Sequence, residues 1–321
     1  VLDRLLLRLK KNNSRVLIFS QMVRVLDLPL DPDAETPRNG LLAMVWSSPW
    51  PGGVQLYVGA DVESAEARLL LTQPARTGVL LEPLPAGPEG RWRRDAALRV
   101  RLNEGALESR SRLAVLAGAN RLAVETATGW EVISYETAQL MTDGSYTLTG
   151  LLRGLGGSES GRVEAGARLV ILDQALGILP VSEAERGAAL SVIAVPEGAR
   201  RSDARARHLT AIYEGRDLRP LSPVHMRVSE TTETLTLSWI RRTRISGDRW
   251  QGLEAPLGEA QEAYQVSLHD ADGDLIGTWV CAAPRLDMPR ADLPSDLAGH
   301  VFSVSQLSER YGAGLASVLH M

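Results

Sequence analysis

From Leu28 to the end of the chain, short apolar stretches alternate with clusters of Gly, Pro, Asp-Gly and Ser, and this punctuation is the strongest constraint on the fold. An amphipathic helix must hold its apolar stripe over several turns, which breakers at this density do not allow. A strand needs only a few residues before the chain turns back. The expected fold class is therefore mainly β, built from antiparallel β-sandwich or barrel domains. "LLAMVWSS" (41–48) and "GVQLYVGA" (53–60) flank "PWPGG", which predicts a hairpin-like pair. Further strands are predicted in "TGVLLEPL" (77–84), "ALRVRLN" (97–103), "GWEVISYETAQLM" (129–141) and "SYTLTGLLRG" (145–154). Between the last two, Asp143-Gly144 suits the positive dihedrals of a tight hairpin.

The 321 residues accommodate more than one domain. Both lysines, Lys10 and Lys11, lie near the start, and every later basic residue is Arg or His. Residues 1–27 are accordingly expected to form a separate unit, followed by a β-rich region over 28–217 with a subdomain split near 105–115. "LRPLSPVH" (218–225) carries Pro220 and Pro223, which predicts an extended linker over 218–222. The last unit, 223–321, carries strands such as "LTLSWIRRT", "YQVSL" and the alternating "VFSVSQLS". These suit a fibronectin type III-like sandwich with Trp239 as a plug between its sheets.

A formal net charge of −4 offers no general attraction to nucleic acid or to an anionic membrane. The apolar runs fall short of the roughly 20 residues a bilayer span needs, and the first residues lack the apolar region of a signal peptide. Cys281 is the single cysteine, so neither an intrachain disulfide nor a thiolate metal cluster is expected, in keeping with synthesis in the cytoplasm.

The residues that carry chemistry are scattered. His208, His225, His269, His300 and His320 show no zinc-site spacing, and Asp270, Asp272 and Asp274 lack the remainder of a calcium loop, so they read as a hairpin turn. "GLLRGLGGSESG" (150–161) has neither the spacing nor the following helix of a phosphate loop and reads as a flexible loop. Glu131, Glu136 and Asp143 would need folding to become a glycosidase pair. No catalytic residue, cofactor or metal site is predicted. "ARRSDARARH" (199–208) reads as a solvated loop or a contact to acidic groups on a neighbouring subunit. In "WIRRTRISGDRW" (239–250), Arg241, Arg242, Arg244, Arg249 and Trp250 form the candidate partner-contact segment, against the alternative of a solvated edge strand. Trp46, Trp50, Trp92 and Trp250 are the residues that could stack on sugar rings.

Two resemblances follow from these segments. "RLLLRLKKNNSRVLIFSQMVRVLD" (4–27) resembles the start of the second motor lobe of CHD-type chromatin-remodelling helicases. The chain has no GxxxxGK[ST] loop or DEAH-type quartet, so a remodelling ATPase fragment is only a remote alternative. From Leu28 onward, "SSPWPGGVQLY" (47–57), "GWEVISYETAQL" (129–140), "YTLTGLLRGLGGSE" (146–159), "LSWIRRTR" (237–244) and "VSQLSERYGAG" (304–314) resemble the C-terminal region of the tail-tip protein of gene transfer agents and tailed phages, a host specificity or baseplate hub protein. The resemblance implies a structural, non-enzymatic virion component at the tail tip, synthesised in the bacterial cytoplasm. It also implies a homotrimer around the tail axis, other tail and baseplate proteins as partners, contact with a bacterial surface polysaccharide or receptor, and a part in DNA delivery. The alternative is a carbohydrate-binding or carbohydrate-active protein of the cell envelope.

Overall fold

The computed structural model describes residues 20–29, 38–245 and 255–321, and nearly all of its regular structure is antiparallel strand. The chain enters through β1 (Ser20–Leu26), β2 (Gly40–Ser48), β3 (Val54–Gly59) and β4 (Glu66–Leu71). It then leaves this body and returns only at β11 (Gly177–Pro180), β12 (Ala189–Pro196) and β13 (Arg207–Ile212). These strands make two facing sheets, in the orders β1-β2-β11 and β13-β12-β3-β4. Alternation sends Leu41, Ala43 and Val45 of β2 toward Val54, Leu56 and Val58 of β3 and Leu190, Val192 and Ala194 of β12, forming one apolar core.

β2 is apolar on its other face as well. Met44 and Leu42 pack with Leu26, Ala123, Val132 and Val170 in a second cluster that joins this sandwich to the next body. Burial on both faces explains why "LLAMVW" reads as a continuous apolar run rather than an alternating one.

β2 and β3 do not pair with each other, contrary to the hairpin expected around "PWPGG". β1 and β11 occupy the two edges of β2, while β12 and β4 occupy those of β3. The Pro/Gly segment therefore carries the chain across the sandwich instead of back along one sheet. β1 also changes the reading of residues 1–27 as a unit apart. Its residues pair with β2 in register from Ser20↔Ser48 to Leu26↔Leu42, and Val23 and Leu26 are buried. Residues 1–19, with most of the helicase-like segment, lie outside the described residues.

The excursion between β4 and β11 is a closed six-stranded barrel in the order β10-β5-β6-β9-β8-β7. Its strands are β5 (Thr77–Leu80), β6 (Trp92–Leu102), β7 (Arg121–Thr126), β8 (Gly129–Leu140), β9 (Tyr146–Leu152) and β10 (Arg168–Ile171). Leu98, Val100, Leu122, Val124, Ile133, Leu148, Leu151 and Leu169 fill it. Each such side chain stabilises the fold by about 1.5–3 kcal/mol relative to exposure. The expected β8–β9 hairpin is present: Leu140 pairs with Tyr146, Met141 N–H donates to the Ser145 carbonyl at 2.8 Å, and Gly144 has φ +77°. The segment 105–115 does not separate two subdomains. It lies in the connection between β6 and β7, around the short helix α1 (Arg112–Leu116) capped by Ser111, and the barrel closes across it.

The last body is a three-plus-four sandwich. β14 (Val224–Glu230), β15 (Thr234–Ile240) and β18 (Arg285–Pro289) form one sheet. β17 (Leu275–Cys281), β16 (Tyr264–His269), β19 (Val301–Ser308) and β20 (Gly312–His320) form the other, in that order. Trp239 is buried between them and meets the Tyr264 ring edge-on, with centroids 5.2 Å apart at 72°. Alternation in "VFSVSQLS" buries Phe302 and Val304 and turns Ser303 and Ser305 outward. The Asp-rich segment is the β16–β17 turn, where Asp270 Oδ1 accepts from the backbone N–H groups of Asp272 and Asp274 at 3.0 and 2.8 Å.

Candidate functional site

The glycine-rich segment 150–161, expected to be a flexible loop, is organised by a buried ion pair. Arg153 on the exit from β9 and Glu131 on β8 are both 0% exposed. Arg153 Nε and Nη2 donate to the two Glu131 oxygens at 2.8 and 2.6 Å, Nη2 also reaches the Gly161 carbonyl at 2.7 Å, and Nη1 reaches the Pro85 carbonyl. Glu131 Oε1 additionally accepts from Gly154 N–H at 3.3 Å. A buried charge persists only when paired and hydrogen-bonded, and here the guanidinium fork ties two loops to the barrel wall. Ser158 Oγ completes the arrangement, accepting from Val132 N–H at 2.9 Å and donating to the Leu155 carbonyl at 2.9 Å.

This loop then meets both sandwiches. Arg219 Nη2 donates to the Gly157 carbonyl at 3.1 Å. Gly157 has φ +82°, and a Cβ there would stand 2.7 Å from Leu315 and 3.0 Å from Leu221. Leu315 N–H donates to the Pro220 carbonyl at 3.1 Å, so the proline segment is packed against β20 rather than strung between domains. Arg310 Nη2 reaches Asn39 Oδ1 at 3.0 Å and Glu183 Oε2 at 3.1 Å, and Arg186 donates to the Arg310 carbonyl. Beneath these contacts, buried Asp217 accepts from Tyr213 O–H at 2.6 Å and from Asn39 N–H at 3.0 Å. Asp27 accepts from the backbone N–H groups of Glu214 and Arg216 at 2.7 and 3.1 Å. Burial pushes the Asp27 carboxyl up to about 6 despite those two bonds.

The arginines singled out as partner contacts are engaged at this junction. Arg244 is 7% exposed and pairs with Glu259, 5% exposed, at 3.0 Å. It also donates to the carbonyls of Asp217 and Gly258 at 3.0 and 3.3 Å. Arg242 donates to the Ser222 carbonyl at 2.7 Å and to Ser222 Oγ at 2.6 Å. Arg241 reaches the Pro256 carbonyl at 2.9 Å and stands 3.7 Å from Glu262. The carbonyls that receive these guanidinium groups, at Asp217, Ser222, Pro256 and Gly258, are 14 or more residues away in sequence, so linear sequence does not reveal the contacts. Arg249 and Trp250 lie outside the described residues.

A cleft of about 1010 Å³ opens at one end of the barrel, lined by Arg76, Glu108, Arg110, Asn120, Tyr135 and Asp173 among others. Two of its arginines are paired across the lining: Arg76 binds Asp173 at 2.7 Å, and Arg110 binds Glu108 at 2.7 Å. Asn120, at φ +57°, holds the rim by donating to the Glu108 and Tyr135 carbonyls at 2.9 and 3.1 Å. Burial pushes the Tyr135 phenol up to about 12, so it stays protonated at neutral pH.

Glu131 and Asp143, two of the carboxylates considered for glycoside chemistry, are not brought together. Glu131 is bound by Arg153, whereas Asp143 sits beyond the far end of β8, bound by Arg99 at 3.0 Å and by Ser145. The Ser145 hydrogen bonds and the nearby arginines hold Asp143 at about 2. Nor do the tryptophans make one platform. Trp50 packs against the first sandwich core, Arg112 covers the Trp92 ring at 4.9 Å, and Trp46 lines a separate cleft. No group of three or more metal-ligating side chains occurs among the described residues, and no described helix is long and apolar enough to cross a membrane.

Fold and site together define a protein of linked antiparallel β bodies, in which a closed barrel is inserted into a sandwich and a second sandwich is fixed to both by arginine. Residues 75–170 match the family described as Rcc01698-like, C-terminal, and this segment coincides nearly end to end with the barrel. The chain is also similar to the crystal structure of the rat CD45 extracellular region, domains d3–d4, at 12% identity and TM-score 0.24, covering 47% of this chain and 71% of that one. No curated protein matches it.

Proposed function

We propose that this chain is a structural, non-enzymatic module of the tail tip or baseplate hub of a phage-like particle, a gene transfer agent or tailed phage. The observation that carries this reading lies in the barrel. "GWEVISYETAQL" and "YTLTGLLRGLGGSE", which resemble tail-tip proteins, are its paired strands β8 and β9 with the Arg153 loop, inside the segment that matches the Rcc01698-like family. A hub must pass load between domains without changing shape, and a junction held by buried, multiply bonded arginines suits that task. The last sandwich, with sheets β14-β15-β18 and β17-β16-β19-β20, is read as fibronectin type III-like and as a display module for loops. Other tail proteins are the expected partners, with three copies around the tail axis and contact with the bacterial surface.

The test is co-expression of the chain with the tail proteins of its own particle, followed by purification and electron microscopy. The chain should co-purify and occupy a symmetric ring at the tail tip. A chain that stays monomeric and is absent from purified particles would rule the reading out.

A further inference from the structure

The last sandwich turns two sheet faces away from its core, and they differ in charge. On the sheet β14-β15-β18, the outward side chains include Arg227, Arg285 and Asp287, with Arg285 and Asp287 paired at 2.9 Å. On the sheet β17-β16-β19-β20, Tyr264, Val266, Leu268, Phe302 and Val304 point into the core, which sends the alternate residues outward. Strand register sets these in rows across the four strands, and the central row runs Thr278, Ser267, Ser303, Val318. One neighbouring row runs from Leu275 to His320 and the other from Val280 to Ala316. These three rows hold no Asp, Glu, Lys or Arg, in a chain whose residues are 23% charged. The face is open to its surroundings, since Val280 is 66% and Val318 57% exposed. Loss of charge from an exposed face of this kind is the compositional mark of an interface centre.

The chemistry of the face narrows what can cover it. The absence of charge gives no hold on a nucleic acid or a charged peptide. It presents no ring on which a sugar could stack, because Trp279 pairs with Val266 and faces the core. Its central polar groups are hydroxyls, and those of Ser267 and Thr278 stand 3.4 Å apart with either able to donate. A hydroxyl both donates and accepts, so a face built from hydroxyls and small apolar groups complements a copy of itself. A two-fold axis brings the same patch of two chains together, and here no like charges meet. Four strands at about 4.8 Å spacing, with about five residues each at about 3.4 Å, give a face of roughly 300 Å² in projection. That is below the roughly 800 Å² per partner of a standard interface, so the contact is weak and reversible.

We propose that this face is a self-association surface, on which the β17-β16-β19-β20 sheet of one chain packs against the same sheet of a second copy. The inference does not rest on the tail-tip reading. A two-fold contact does not close a ring of three, so it joins chains beyond such a ring, and its failure leaves that reading standing.

Sedimentation velocity of the full chain between about 1 and 300 µM tests it, and monomer should give way to dimer with a dissociation constant on the order of 10–100 µM. Ser303→Arg, in the central row, sets like charges against each other and should weaken the dimer about tenfold or more. Ser303→Glu should do the same alone, and an equimolar mixture of the two variants should dimerise again, because opposite charges then meet. Val318→Asp, at a more exposed position, serves if Ser303→Arg does not fold. Arg227→Gln, on the opposite outer face, should leave the association unchanged. The proposal fails if the chain stays monomeric over this range, if the Ser303 and Val318 variants dimerise like the parent, or if Arg227→Gln disrupts the dimer as strongly. A chain that stays monomeric yet binds a different protein through this face, with Ser303→Arg abolishing the binding, overturns a second copy as the occupant.

Discussion

The junction between the three β bodies and the cleft along β1, lined by Arg24, Arg168 and Arg207, both concentrate arginine, yet the fold treats the two groups in opposite ways. At the junction, Arg242 reaches the Ser222 carbonyl of the proline-rich connection, while Arg244 reaches the carbonyls of Asp217 and Gly258 and also finds Glu259. Along β1, Arg24 and Arg207 reach only carbonyls, and no carboxylate is paired with either among the described residues. Density of arginine in sequence therefore does not separate a structural cation from an available one. What separates Arg153 and Arg244 from Arg24 and Arg207 is that the fold brings a buried carboxylate to the first two and none to the others among the described residues. Arg153 is the extreme of the first kind, wholly buried with Glu131.

That contrast can be broken by mutation. Arg153→Ala leaves Glu131 buried and unpaired, and should destabilise the chain by about 3–5 kcal/mol, read as a shift in the urea midpoint. The double variant Arg153→Met/Glu131→Leu should recover most of that loss, which tests whether the damage is the orphaned charge rather than lost volume. Arg244→Ala should cost about 2–4 kcal/mol and expose the segment 218–224 to limited proteolysis, since its bonds to Asp217 and Glu259 fix the last sandwich.

A third expectation concerns pH. The Asp27 carboxyl is raised from 3.8 to about 6 in the folded chain, chiefly by burial. The folded state thus binds its proton more tightly than the unfolded chain does. The associated stability is fully present below about pH 4 and is lost as pH rises through about 6. Denaturation midpoints between pH 4 and 7 should therefore show a decline, on the order of 2 kcal/mol, that is absent in Asp27→Asn. A parallel decline in both proteins would assign it to another group. Gly157→Ala forces a Cβ into positive-φ backbone against Leu315 and should cost about 1–2 kcal/mol, with the three-body junction loosening before the barrel does. Arg207→Gln should change stability by no more than about 0.5 kcal/mol, the smallest effect, because its bonds to Ala204 and Ala206 are exposed. A large loss there would place Arg207 with the junction arginines and erase the distinction.

Local pattern accounts for the strand content and for particular pairs. The alternation in "VFSVSQLS" sets which side chains of β19 are buried, and Asp143-Gly144 sets the β8–β9 hairpin, because both depend on neighbours in sequence. Even Trp239 was legible as a plug, since a large aromatic on an alternating strand has one dry side available. The segment 41–60 was not legible in the same way. Pro and Gly mark a turn, but a turn that returns along one sheet and one that crosses between two sheets use the same residues.

The sequence by itself thus determined the fold class and much of the strand alternation. Tertiary structure alone decided that a barrel interrupts the first sandwich, that the glycine-rich loop closes over Arg153 and Glu131, and that Arg241, Arg242 and Arg244 turn inward. The physical reason is range. Side-chain alternation and turn dihedrals are fixed within a few residues, whereas the partner of a long, charged side chain is chosen by desolvation among groups far apart in the chain. Arg153 and Pro85, or Arg244 and Asp217, become neighbours only after the sheets have formed.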